Sequence, residues 1–147
     1  MASYTSAHRT PAGTNLTILA LESSAAVVGR IHQAIIGSDA TPADVATRFD
    51  FVRHTTAGTG GTAVLEKPVD PQAPAASCNL RGGTMTEPTY EADFLEEVPL
   101  NQRATFTWIA NPGRELRTTV GTANGIGLRS VSSGGTPNIN CSLMWDE

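Results

Sequence analysis

A chain of 147 residues is long enough to bury one core without metal or disulfide staples, and its length predicts a single domain. Hydrophobic residues at 39% and charged residues at 16% exclude a disordered chain, while 14 glycines and 9 prolines exclude long helices. The net charge of −4 leaves no basic footprint for nucleic acid: Lys67 is the only lysine, and the arginines are scattered.

Residues Met1 to Thr14 are small and polar, with Pro11 and Gly13, and read as an N-terminal arm over residues 1–14, either disordered or ordered by a partner; the domain proper then spans 15–147. The arm has no apolar signal region, and no later stretch approaches the roughly 18 apolar residues of a membrane helix. Asn15 to Glu22 and Ala25 to Gly37 read as strands around Ser23-Ser24, rich in β-branched residues, with Ile31 and Ile35 facing inward. Thr41-Pro42 with Asp44 resembles a capping box and predicts one short helical turn. Ala46 to Thr56 alternates with period 2 and puts Phe49 and Phe51 on one face. Gly58 to Gly61 predicts a hairpin or bulge, Thr62 to Lys67 a strand, and Pro68, Pro71 and Pro74 a loop that does not pair.

Further strands are expected at Ala76 to Thr86, Thr89 to Val98, Arg103 to Ala110, Leu116 to Gly121 and Gly125 to Ser132. Asn138 to Glu147 has the clearest alternation, Ile139, Cys141, Leu143 and Trp145 against Asn138, Asn140 and Ser142. Turns recur at the spacing of a sandwich or barrel. The expected fold is therefore all-β, a single β-sandwich of jelly-roll type with about eight strands. Its expected core is Leu19, Ile31, Ile35, Phe49, Phe51, Phe94, Phe106, Trp108, Leu128, Ile139 and Leu143.

The constellations that could carry chemistry each have a plainer reading. Gly58-Thr-Gly-Gly-Thr-Ala lacks the Lys-Ser/Thr pair of a phosphate loop, and Ser130-Val-Ser-Ser-Gly-Gly135 lacks the acidic and tyrosine motif that would make it one in a dUTP-hydrolysing jelly roll. His8, His32 and His54 have no ligand spacing, so no metal or other cofactor is expected. Cys78 and Cys141 belong to no CxxC motif and read as free, buried thiols. Glu96-Glu97 and Asp146-Glu147 are neighbours whose side chains point to opposite faces of a strand, which makes no acid and base pair. Tyr4, Tyr90, Trp108 and Trp145 could line a sugar-binding face, Tyr90 and Trp145 above all, only if the core gave up its best packing residues. No nucleophile has an adjacent base, and no enzyme activity is expected.

The polar arm ending Pro11-Ala-Gly-Thr14, the run Leu100-Asn-Gln-Arg-Ala-Thr-Phe-Thr-Trp-Ile-Ala110 followed by Asn-Pro-Gly113, the segment Ala123-Asn-Gly-Ile-Gly-Leu128 and the closing strand form a recognisable order. It resembles small all-β accessory proteins of tailed-phage virions, often jelly-roll trimers that decorate or cement the capsid. The resemblance implies a non-enzymatic protein made in the host cytoplasm and carried on the outer capsid surface of the virion. Its expected partners are the major capsid protein and further copies of itself, as a trimer, with neither nucleic acid nor membrane bound directly. Tyr4, His8, Arg9 and Pro11 of the arm are the expected capsid or subunit contacts. The same style occurs in fibre and tail modules, which leaves a glycan- or receptor-binding module as the alternative.

Overall fold

The computed structural model describes residues 1–147, the side chain of Ser133 excepted. Twelve strands run in chain order: β1 Ser3–Pro11, β2 Leu16–Glu22, β3 Arg30–Ala40, β4 Ala46–Thr56, β5 Thr59–Val64, β6 Lys67–Pro68, β7 Asn79–Thr86, β8 Thr89–Asn101, β9 Thr105–Ile109, β10 Leu116–Arg117, β11 Gly125–Ser133 and β12 Asn138–Asp146. There is no helix. The strands form two antiparallel sheets packed face to face, a β-sandwich. Sheet A has the order β10-β3-β12-β1-β6, with β9 also paired to β3, and sheet B the order β5-β7-β2-β11-β4-β8. Eight strands make two four-stranded runs, β1-β12-β3-β9 and β2-β11-β4-β8, and β5, β6, β7 and β10 extend their edges.

Alternation explains the core. In β12 the inward set Ile139, Cys141, Leu143 and Trp145 is fully buried, and in β4 Phe49 and Phe51 meet Leu128 of β11 and Leu19 of β2 between the sheets. Trp145 stacks on Tyr4, ring centroids 5.7 Å apart.

Several expectations are corrected. Residues 1–14 are not an arm: β1 pairs with β12 over its whole length, from Ser3 opposite Asp146 to Pro11 opposite Asn138, and β6 pairs on its other side. Of its inward side chains, Ser6, His8 and Thr10 are polar and only Tyr4 is a large core residue, which disguises a strand held largely by backbone pairing. The segment 25–29 is a turn, where Ser24 Oγ accepts the Val27 amide (2.9 Å), and β3 starts only at Arg30. A bulge between the partners of Met144 and Trp145 then shifts the phase of β3. As a result Ile31, Ala34 and Ile36 are buried while Ile35 faces solvent.

No helical turn forms at Pro42, because Gln102 Oε1 accepts the Ala43 amide and Asp44 binds the Asn101 side chain. The glycines at 58–61 open β5 with a bulge rather than a hairpin, since β5 pairs with β7 and not with β4. Pro68, expected to stay unpaired, pairs with Tyr4. Phe94, expected in the core, is 54% exposed on the irregular edge strand β8, and Trp108 is only half-buried on edge strand β9, against Phe51.

Candidate functional site

The densest polar arrangement lies on the outward face of sheet B. Strand β11 carries Gly125, Gly127 and Arg129 on that face, opposite Asp50, Val52 and His54 of β4. A side chain at Gly127 would collide with the Tyr90 ring, and one at Gly125 with His54, so the two glycines form a trough into which those rings drop. Tyr90 stands edge-on to His54 with centroids 5.9 Å apart, and the Arg129 guanidinium lies 4.9 Å from the Tyr90 centroid.

Arg129 is committed to Asp50 by a two-pronged bond: Nε donates to Oδ1 at 3.0 Å and the terminal nitrogen to Oδ2 at 2.6 Å. The Asp50 side chain is only 3% exposed, so this is a desolvated ion pair whose charges satisfy each other. The Tyr90 hydroxyl bonds Thr17, and Thr17 in turn donates to Glu87 through both its hydroxyl and its amide. Burial raises the Tyr90 phenol above its usual range and keeps it neutral. Burial likewise holds His54 below the ordinary histidine value of 6.5. Its Nδ1–H donates to the Ala123 carbonyl (3.1 Å), and Nε2 is buried with no partner among the described residues. At the far end of the face Arg81 bonds the buried Glu22 at 3.2 Å.

Chemically this network is a clamp. Its hydroxyls, carboxylates and guanidinium bond one another, and a cavity of only about 100 Å³ reaches Thr17 and Glu87 at its margin. What it holds is the Glu87-to-Tyr90 connection, which carries the chain from β7 near one edge of the sheet to β8 at the other. Sequence reasoning missed it, although the signal existed: alternate glycines in Gly125-Ile-Gly127, all on one face, mean that something bulky lies across them.

The singled-out residues lie apart. His8 points between the sheets against Gly82 and Gly83, His32 meets Asp146 at 3.5 Å near the end of sheet A, and His54 lies on the opposite sheet. Glu97 pairs with Arg48, and the Glu147 carboxylate accepts the amides of Ser77 and Cys78. Of Tyr90 and Trp145, the aromatics that a sugar-binding face would have used, Trp145 is fully buried and Tyr90 is partly buried with its ring over Gly127. Of the four expected contacts, Tyr4 is 1% exposed and His8 is partly buried between the sheets. Arg9 and Pro11 alone stand on the exposed side of β1, Arg9 bonded to Asp39 at 2.6 Å.

The outward face of sheet A is different in kind. One cross-strand row reads Ala7, Ser142, Ile35, Thr107, and the next Arg9, Asn140, Gly37, Thr105. Most of these side chains are short and uncharged, and several of them border a shallow depression of about 340 Å³ whose one charged lining residue, Asp39, is paired with Arg9. Compared with family models, with curated proteins and with solved structures, the chain matches none of them.

Proposed function

We propose that the chain is a non-enzymatic structural protein of a tailed-phage virion, a decoration or cement protein that binds the outer surface of the assembled capsid. The observation that carries this reading is the outward face of sheet A. There four adjacent strands present a broad, largely uncharged surface of small side chains, suited to lying against another folded surface rather than to enclosing a small molecule. Affinity would come from several copies engaging a repetitive shell at once. The strand runs β1-β12-β3-β9 and β2-β11-β4-β8, in which the chain alternates between sheets, support a jelly-roll reading of the sandwich.

The contact therefore moves from the supposed arm to the sheet, with Arg9 and Pro11 at its border. The alternative, a glycan- or receptor-binding module, is less favoured because Trp145 is fully buried and the partly buried Tyr90 ring is engaged by Arg129 and Gly127. Binding of the purified protein to capsids stripped of decoration tests the proposal. Saturable, stoichiometric attachment is expected, and Ser142→Arg, which puts a long charged side chain in the middle of the face, should abolish it. Attachment that is unchanged in the variant would move the contact elsewhere.

A further inference from the structure

The sheet edges differ in how they are guarded. Sheet B ends on β5, bulged at Gly60 and Gly61, and on β8, which carries Glu91, Asp93, Glu96, Glu97 and Pro99. Sheet A ends on one side at β6, two residues containing Lys67 and Pro68. Glycine bulges, charges and prolines of this kind block strand-to-strand association. On its other side sheet A ends on two strands that share the edge of β3: the two-residue β10 with its charged Arg117, beside Arg30 and Ile31, and β9, beside Gln33 to Gly37. On β9 the guard is missing. The run Ala104-Thr-Phe-Thr-Trp-Ile-Ala110 holds no charge, no glycine and no proline, and its centre consists of β-branched and aromatic residues.

β9 pairs with β3 alone among the described residues. The Ala110 amide donates to the His32 carbonyl (2.9 Å), in register with the β9–β3 ladder. In an antiparallel ladder bonding alternates, so residues 106, 108 and 110 bond toward β3 while the amides and carbonyls of Thr105, Thr107 and Ile109 point out of the sheet. All three residues are exposed, Ile109 by 68%, and the neighbouring Phe106 and Trp108 are covered on one side only.

We propose that β9 pairs antiparallel with β9 of a second copy of this chain, about a two-fold axis at Thr107, joining two A sheets into one. The register follows from the sequence. Thr107 faces its own counterpart, Thr105 faces the second copy's Ile109, Phe106 faces the second copy's Trp108, and Ala104 faces the second copy's Ala110. Every pair is compatible: the aromatics meet across strands, small residues flank them, and no like charges are opposed. A segment that complements its own reversal calls for a two-fold operator, which uses one patch twice; a three-fold trimer has a heterologous interface and cannot bring β9 to β9. This association is independent of capsid attachment.

Light scattering on the purified full-length protein at micromolar concentration is expected to give twice the chain mass of 15.4 kDa. Thr107→Lys and Thr107→Glu each place like charges face to face at the axis and are expected to give 15.4 kDa with an unchanged far-ultraviolet circular dichroism spectrum. An equimolar mixture of the two should recover the doubled mass. Thr107→Pro, which deletes an outward amide and no bond to β3, gives the same reading should the charged variants fail to fold. A wild-type mass of one or three chains would overturn the proposal, as would folded Thr107 variants that keep the doubled mass or a mixture that stays monomeric.

Discussion

Trp108 and Trp145 both point inward from strands of sheet A, yet they differ in worth because β9 is an edge and β12 is flanked by β1 and β3. Trp145 is fully buried against Tyr4, so Trp145→Ala leaves a cavity and should cost about 3–5 kcal/mol. Trp108→Ala removes only a half-covered ring and should cost about 1–2 kcal/mol. Thermal unfolding decides between them, and equal losses would contradict the burial difference. Gly127 makes the opposite kind of demand: a methyl group there would strike Tyr90, and Gly127→Ala should destabilise by about 1–3 kcal/mol through displacement of that ring. Combining Gly127→Ala with Tyr90→Ala should recover part of the cost of the glycine change, a non-additivity that a double-mutant cycle measures. Additive losses would mean that the ring is not what the glycine accommodates.

Among the elements, β1 changes most between sequence and structure. Because it fills the position between β12 and β6, deleting residues 1–13 should strip β12 of one neighbour, uncover Trp145 and leave insoluble or unfolded protein. A truncated chain that keeps the wild-type spectrum and unfolding midpoint would refute this. Strands β4 and β12 are legible because their centres alternate apolar with other residues, Phe49 and Phe51 in β4 and Ile139, Cys141, Leu143 and Trp145 in β12. β1 is not, since its inward side chains include Ser6, His8 and Thr10, whose burial follows from backbone pairing rather than from hydrophobicity. The bulge in β3 inverts the parity on which Ile35 is assigned, and a bulge leaves no periodic trace. The clamp on sheet B is equally hidden, because Thr17, Asp50, Glu87, Tyr90 and Arg129 come from four strands and a connection and meet only through topology.

Elements also set the response to pH. His54 and His8 are both held below the ordinary value of 6.5 by burial, so the folded state favours their neutral forms. A depressed folded pKa means the unfolded chain binds the proton more tightly; stability is therefore full above about pH 6.5 and declines as pH falls below it toward the lowered folded values. The unfolding midpoint should drop over that interval, and His54→Gln should flatten the decline. A variant profile parallel to wild type would assign the acid sensitivity to other groups.

For the molecule as a whole, the two sheets share one core, in which residues from both, such as Tyr4 and Leu143 with Phe51 and Leu128, belong to a single cluster. Such a core should unfold as one cooperative unit. The cysteines report on this from opposite sheets: Cys141 is buried in β12 of sheet A, and Cys78 is buried at the entry to β7 of sheet B. Burial pushes the Cys78 thiol up to about 12 and raises that of Cys141 too, so neither supplies the thiolate that alkylating reagents need. Native protein at neutral pH should accordingly resist modification at both sites. In increasing denaturant the two should become reactive together, along the same curve as the loss of β spectrum. Mass spectrometry after a labelling pulse separates singly from doubly modified chains. A population labelled only at Cys78 at intermediate denaturant would show that the β5–β7 extension opens before the eight-stranded body, in contradiction to a single unfolding unit.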